Sequence, residues 1–275
     1  MKAFPVTVIL FTLAASVLSA ACTSTEPPTD HGIAEMEGVA GQITMSINAG
    51  LGEIRAGNQN TSRSLSTTGL SGQEAEAVLL ENLLHYPWAL SSVVISPQGI
   101  ILTAVPETYA GIVGTNVSGH LHFQKANAAR VPMVSGVFRL AEGFDGIAQS
   151  YPVFSSSGEY LGYTDITYEP YVFLGRHIDK AIRGTDYDAR VVQTDGTVIY
   201  DTSGEEIGKN VVSDPVSADP ALQEILARIV KETSGTGTCT FRDRDGNRNV
   251  TRTAVWDTAG IDGTEWRVVV TSDGA

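Results

Sequence analysis

The sequence predicts an α+β protein in which one long N-terminal helix leads into two similar antiparallel-sheet units. Three observations carry this. Ile33, Met36, Val39, Ile43, Ile47, Leu51 and Ile54 recur at steps of three or four, a single apolar stripe on a helix. From Ser91 onward the period shortens to that of strands. One hairpin device then occurs twice: Val93-Val94-Ile95 and Ile100-Ile101-Leu102 flank Ser96-Pro97-Gln98-Gly99, and Val191-Val192-Gln193 and Thr197-Val198-Ile199-Tyr200 flank Asp195-Gly196. Gly99 and Gly196 stand 97 residues apart, about the length of a small domain, as a duplicated unit requires.

The elements follow in order. Lys2, an apolar run from Val6 to Leu18 and the small residues Ser19-Ala20-Ala21 read as a secretory leader over residues 1–21. The run falls short of the roughly 20 apolar residues that span a bilayer. Cys22 stands where a lipid-modified cysteine would begin a mature lipoprotein. Leu18 lies four residues before it, where three is commoner, and Ser19 and Ala21 also satisfy ordinary cleavage after Ala21. Residues 22–32, rich in Thr, Ser and Pro, read as a tether. If Cys22 carries lipid, Cys239 has no partner for an internal disulfide.

Residues 33–90 read as a helical region. Its stripe should be interrupted by the polar stretch Asn58 to Thr68, and a second helix should run from about Gly72 to His85 and stop before Pro87. Residues 91–183 and 184–275 are expected to form the two sheet units. Strands are expected over Met133 to Leu140, Gly146 to Phe154 and Tyr160 to Thr167, with a connecting helix over Pro170 to Ile182. Asp219 is a good N-cap with Pro220 at the first helical position. Strands at about Cys239 to Arg244, Val250 to Asp257 and Trp266 to Thr271 complete the chain. Asp195-Gly196 suggests a turn with positive φ at both central residues. Asp243-Arg244-Asp245-Gly246-Asn247 lacks the bidentate glutamate of a calcium loop and reads as a hairpin turn.

A formal net charge of −13 opposes binding to nucleic acid or to acidic lipid surfaces. The sequence contains no Gly-x-Ser-x-Gly, His-Glu-x-x-His, phosphate-cradling glycine loop or Cys-x-x-Cys, so no enzyme class is indicated and no cofactor is expected.

Short segments resemble the double Cache family of extracytoplasmic sensors. They include Gly114-Thr115-Asn116-Val117-Ser118-Gly119-His120-Leu121-His122-Phe123, Val131-Pro132-Met133-Val134-Ser135, Tyr151-Pro152-Val153-Phe154 and Gly162-Tyr163-Thr164-Asp165-Ile166. Gly196 to Asp201, Ile207-Gly208-Lys209-Asn210, Gly235 to Thr238 and Gly263 to Trp266 resemble its second repeat. The resemblance covers roughly residues 33 to 272. It implies a long helix feeding two PAS-like sheets, a membrane-distal unit that binds a small molecule (an amino acid, carboxylate or amine) and a membrane signalling partner. The arginine and tryptophan-tyrosine pair of amino-acid-binding members have no match here, and Gly119 and His120 stand where that pattern has aspartate and arginine. The resemblance therefore implies a binding module and leaves its ligand open.

Candidate ligand contacts are His120, His122, Ser135, Arg139, Gln149, Tyr151 and Asp165. On a strand, His120 and His122 would share a face and converge on a carboxylate or a metal; the alternative is a solvated loop pair. No third ligand at a suitable spacing supports a metal. Arg139 would pair bidentately with a carboxylate, or stand exposed. Asp165 matches the family aspartate that receives a ligand amine. Ser135, Gln149 and Tyr151 would line the same concavity if strand alternation holds. The expected function is an exported, lipid-tethered sensory module without its own output domain. Two alternatives stay open: a surface interaction protein, marked by a solid apolar distal core, and an exported hydrolase, marked by a nucleophile and base converging in one cleft.

Overall fold

The computed structural model describes residues 30–213, 219–242 and 249–274. The leader, Cys22 and the turn at residues 243–247 lie outside them. Helix α1 (Asp30–Thr68) is longer than its apolar stripe, because the stripe continues in polar residues. Asn58, Thr61, Ser62 and Leu65 follow Ile54 at helical spacing and are all buried. Asn58 Nδ2 donates to the Gln149 carbonyl at 2.7 Å, and Ser62 Oγ donates to the Pro152 carbonyl at 2.7 Å. A polar face that finds partners is a packing face, so the expected break at Asn58 does not occur. Helix α2 (Gln73–Leu84) lays Leu79 and Leu83 beside Leu65 and the back of the first sheet.

That sheet comprises β1 (Ser91–Ile95), β2 (Ile101–Val105), β3 (Met133–Val134), β4 (Phe138–Arg139), β5 (Asp145–Phe154) and β6 (Tyr160–Tyr168). Its order is β2-β1-β6-β5-β3, antiparallel throughout, with β4 also paired to β5. The single strand expected over Met133 to Leu140 is divided, and Ser135 to Val137 separate its halves. A 3₁₀ helix (Glu107–Ile112) and helix α3 (Leu121–Ala129) lie between β2 and β3. Helix α4 (Pro170–Ile182) connects to the second sheet, starting with proline in its first turn as the sequence indicates.

The second sheet, β7 (Asp188–Gln193), β8 (Val198–Asp201), β9 (Gly235–Arg242), β10 (Asn249–Ala259) and β11 (Trp266–Gly274), has the order β8-β7-β11-β10-β9. The two orders are the same path, and the likeness reaches individual hydrogen bonds. Val117 N–H donates to the Gly99 carbonyl at 2.7 Å, and Val211 N–H donates to the Gly196 carbonyl at 2.9 Å. Isolated bridges Ile100–Asn116 and Thr197–Asn210 stand in equivalent places. In each turn only the glycine has positive φ, +81° at Gly99 and +91° at Gly196, so Asp195-Gly196 is not the expected two-residue turn.

Helix α1 runs behind both sheets. Met36, Ile43, Ile47, Leu51 and Ile54 join Ile147 and Ile166 of the first sheet, Val255 and Val268 of the second, and Phe173 and Ile178 of α4 in one core. Asn48 Oδ1 accepts from Gly260 N–H at 2.7 Å, while Leu51 accepts from Gln149 Nε2 at 2.8 Å, so neighbouring turns of α1 hold different sheets. Helix α5 (Pro220–Lys231), capped by Asp219 through Ala221 N–H, covers the other face of the second sheet. Ile229, Trp256, Val192 and Val269 pack together in the core there.

A candidate ligand-binding site

The equivalent face of the first sheet carries a pocket: between it and α3 lies a narrow, partly open space of about 30 Å³, room for one or two water molecules. Its lining mixes apolar residues, Val93, Ile95, Phe123 and Phe138, with polar ones, His120, His122, Glu142, Tyr163, Asp165 and Thr167. Strand parity explains the three from β6. Tyr163, Asp165 and Thr167 alternate with Thr164, Ile166 and Tyr168, which face α1.

Asp165 is the centre of the site. It is 3% exposed, and its Oδ1 has no hydrogen-bond partner. Burial pushes its carboxyl up to about 7; a hydrogen bond from Ser150 opposes the shift and the nearby Glu142 charge adds to it. Ser150 sits directly opposite Asp165 in the sheet, and His122 Nε2 lies 2.6 Å from Ser150 Oγ. Burial lowers the His122 imidazole to about 4, with Lys125 and His120 acting in the same direction, so it is neutral at physiological pH. With the Ser150 hydroxyl directed to Asp165, its oxygen accepts from the His122 Nε2–H. The order His122, Ser150, Asp165 is therefore a chain of donors ending on the carboxylate. It is not a hydrolytic triad, in which histidine takes the serine proton and the carboxylate holds the other ring nitrogen. Glu142 is fixed separately: it accepts from Ser91 Oγ and, at 3.3 Å, from Thr167 Oγ1.

The structure thus brings His120, His122 and Asp165 together, but the two histidines are not on a strand. His120 caps α3 and His122 lies in its first turn, so neither belongs to a pleated face. Arg139 lies outside the cavity. Its side chain is 67% exposed and 3.6 Å from Asp145, on the cleft between the two sheets. Ser135 also faces that cleft, and its Oγ accepts from Ala148 N–H at 2.9 Å. Gln149 and Tyr151 lie on the opposite face of β5 from Ser150. Gln149 bonds to α1, and Tyr151 lines a surface groove beside Ser62 and Arg63. Sequence reasoning missed Ser150, Glu142 and Tyr163. The signal for Ser150 is its pairing with Asp165, which requires the strand register.

Residues 49–170 match a family model described as HK/GC/Chemotaxis protein-like, sensor domain. No curated protein matches. Among solved structures, an extracellular ligand binding receptor from Desulfohalobium retbaense DSM5692 is 27% identical, with a TM-score of 0.73 over 85% of this chain. This chain spans 39% of that receptor's length. The periplasmic sensory domain of the Campylobacter jejuni chemoreceptor Tlp1 is 13% identical, with a TM-score of 0.61 over 86% of this chain and 93% of its own. The ligand-binding domain of the Pseudomonas aeruginosa PAO1 amino acid chemoreceptor PctC, solved with GABA, is 15% identical, with a TM-score of 0.57 over 85% of this chain and 96% of its own. The matched segment holds the whole of the first sheet and its cavity. Among the described residues, no helix is long and apolar enough to cross a membrane. Residues 49–170 are thus similar to the HK/GC/chemotaxis protein-like sensor domains, and the chain carries the double Cache fold, a long helix with two antiparallel sheets.

Proposed function

We propose that this chain is a sensory receptor domain outside the cytoplasmic membrane that binds a small nitrogen-bearing metabolite in the cavity of its first sheet, without altering it. The observation that carries this reading is the partnerless Oδ1 of Asp165, buried and facing a cavity. A buried carboxylate with one oxygen unpaired is costly, and a protonated amine is a group that satisfies it. A surface-interaction role calls for a solid distal core, which this cavity with convergent polar groups does not fit. The lipid on Cys22 supplies the anchor in this reading, and a membrane partner reads the bound state.

A thermal-shift screen of amines, amino acids and carboxylates on the wild type and on Asp165→Asn tests the binding role. At least one nitrogen-bearing compound should stabilise the wild type and leave the variant unmoved. Failure of every class on the wild type overturns it. For the anchor, Cys22→Ser should move the protein from the membrane fraction to the soluble one; unchanged fractionation overturns that part alone.

A further inference from the structure

The cavity's charges are one-sided. Asp165 and Glu142 both line it, and no lysine or arginine does. The nearest cations, Lys125 and Arg139, line the adjoining cleft instead, where Arg139 pairs with Asp145. The neutral groups present suit a cation as well. Phe138 lies at 5.6 Å from His122 and 5.8 Å from His120, ring centre to ring centre, and Tyr163 stands edge-on to His122 at 6.4 Å. Aromatic faces attract organic cations, more so when desolvated. An α-amino acid would bring a carboxylate into the same narrow space as Glu142. Its remaining donors would be His120 and the first N–H groups of α3, which must offset two acidic side chains. Like charges this close in a narrow, largely apolar pocket are unfavourable.

From this, and resting on the receptor reading above, we infer that the cavity selects a small organic cation that lacks a carboxylate, an amine in preference to its parent amino acid. Asp165 Oδ1 takes the ammonium group, Glu142 excludes the acid, and the aromatic rings hold the carbon skeleton. Residues Asp165 and Glu142 thereby act as a pair, one attractive and one discriminating.

Isothermal titration of the full chain with matched probes tests this: isoamylamine with leucine and leucine methyl ester, phenethylamine with phenylalanine, histamine with histidine, and putrescine with ornithine. The expected result is at least one amine bound about tenfold or more tighter than its amino acid, a gap of about 1.4 kcal/mol. Where leucine fails, its methyl ester should bind, because the ester removes the charge and keeps the bulk. Glu142→Gln should narrow the gap, with circular dichroism as the check on folding; the ester comparison needs no variant. Amino acids bound as tightly as their amines, or an ester no better than its acid, would overturn the inference and leave the receptor reading intact. No binding by any probe, together with failure of the broader screen, would remove both.

Discussion

Val137 and Gln193 join the two sheets at the wall of the cavity: the Val137 N–H donates to Gln193 Oε1 at 3.1 Å, one residue before Phe138. Gln193 ends β7 of the second sheet, and Thr264 beside it donates from Oγ1 to the Val134 carbonyl at 2.7 Å. The segment dividing β3 from β4 is thus held by the second sheet, so displacement of Phe138 by a ligand is expected to be felt at the acceptor on β7. Gln193→Ala should cost about 1 kcal/mol, the worth of one hydrogen bond. It should also abolish the ligand-induced change in amide exchange at residues 188–193. Undiminished transmission in the variant would show that the signal travels elsewhere.

Asp165 makes stability depend on pH. Its folded pKa of about 7 lies above the ordinary carboxylate value of 3.8, so between these values the folded state holds the proton that the unfolded state has lost. Stability therefore falls as pH rises from about 4 to about 7, by up to about 4 kcal/mol for a shift of this size. Asp165→Asn should flatten that slope and be the more stable protein at pH 8. Urea unfolding of both proteins across this range measures it; parallel slopes would contradict the assignment.

Asn58 is the hub of a buried polar junction between α1, α2 and β5. Its Nδ2 donates to the Gln149 carbonyl, and its Oδ1 accepts from Asn82 Nδ2 at 3.0 Å. Asn58→Ala leaves both partners buried without a substitute and should cost about 2–4 kcal/mol. A loss under about 1 kcal/mol by chemical unfolding would mean that the helix relaxes to satisfy them.

Two glycines of α1 should respond to alanine in opposite directions. At Gly52 an added Cβ meets nothing within 4 Å, so Gly52→Ala gains helix propensity and should stabilise by about 0.5–1 kcal/mol. At Gly50 it would meet His177 Nε2 at 2.6 Å, and that ring is held by Ser46 Oγ at 2.9 Å. Gly50→Ala should destabilise by about 1–3 kcal/mol through overpacking against α4. Melting temperatures of the two variants decide it.

These contrasts show what the sequence makes legible. Helices α4 and α5 can be read because Pro170, and Asp219 with Pro220, are local signals whose physics is complete within a few residues. The continuation of α1 cannot, because Asn58 and Ser62 look like a loop until their partners on β5 are known. The same holds for the site. Asp165 is recognisable from its resemblance, but the face of β5 that meets it depends on the Ser150–Asp165 pairing, and a one-residue change of register exchanges Ser150 for Gln149 or Tyr151. For His120 and His122 the error is one of period: the pair begins a helix, and both reach the cavity because one lies in the cap and the other in the first turn.

The most direct test of the account follows the Asp165 carboxyl carbon by NMR through a pH titration, with and without the amine that gives the largest thermal shift. In the free protein the midpoint should lie near 7, and the bound ammonium should draw it down by two units or more, as an adjacent opposite charge does. A midpoint unchanged by saturating ligand would place the ligand away from Asp165 and contradict the account.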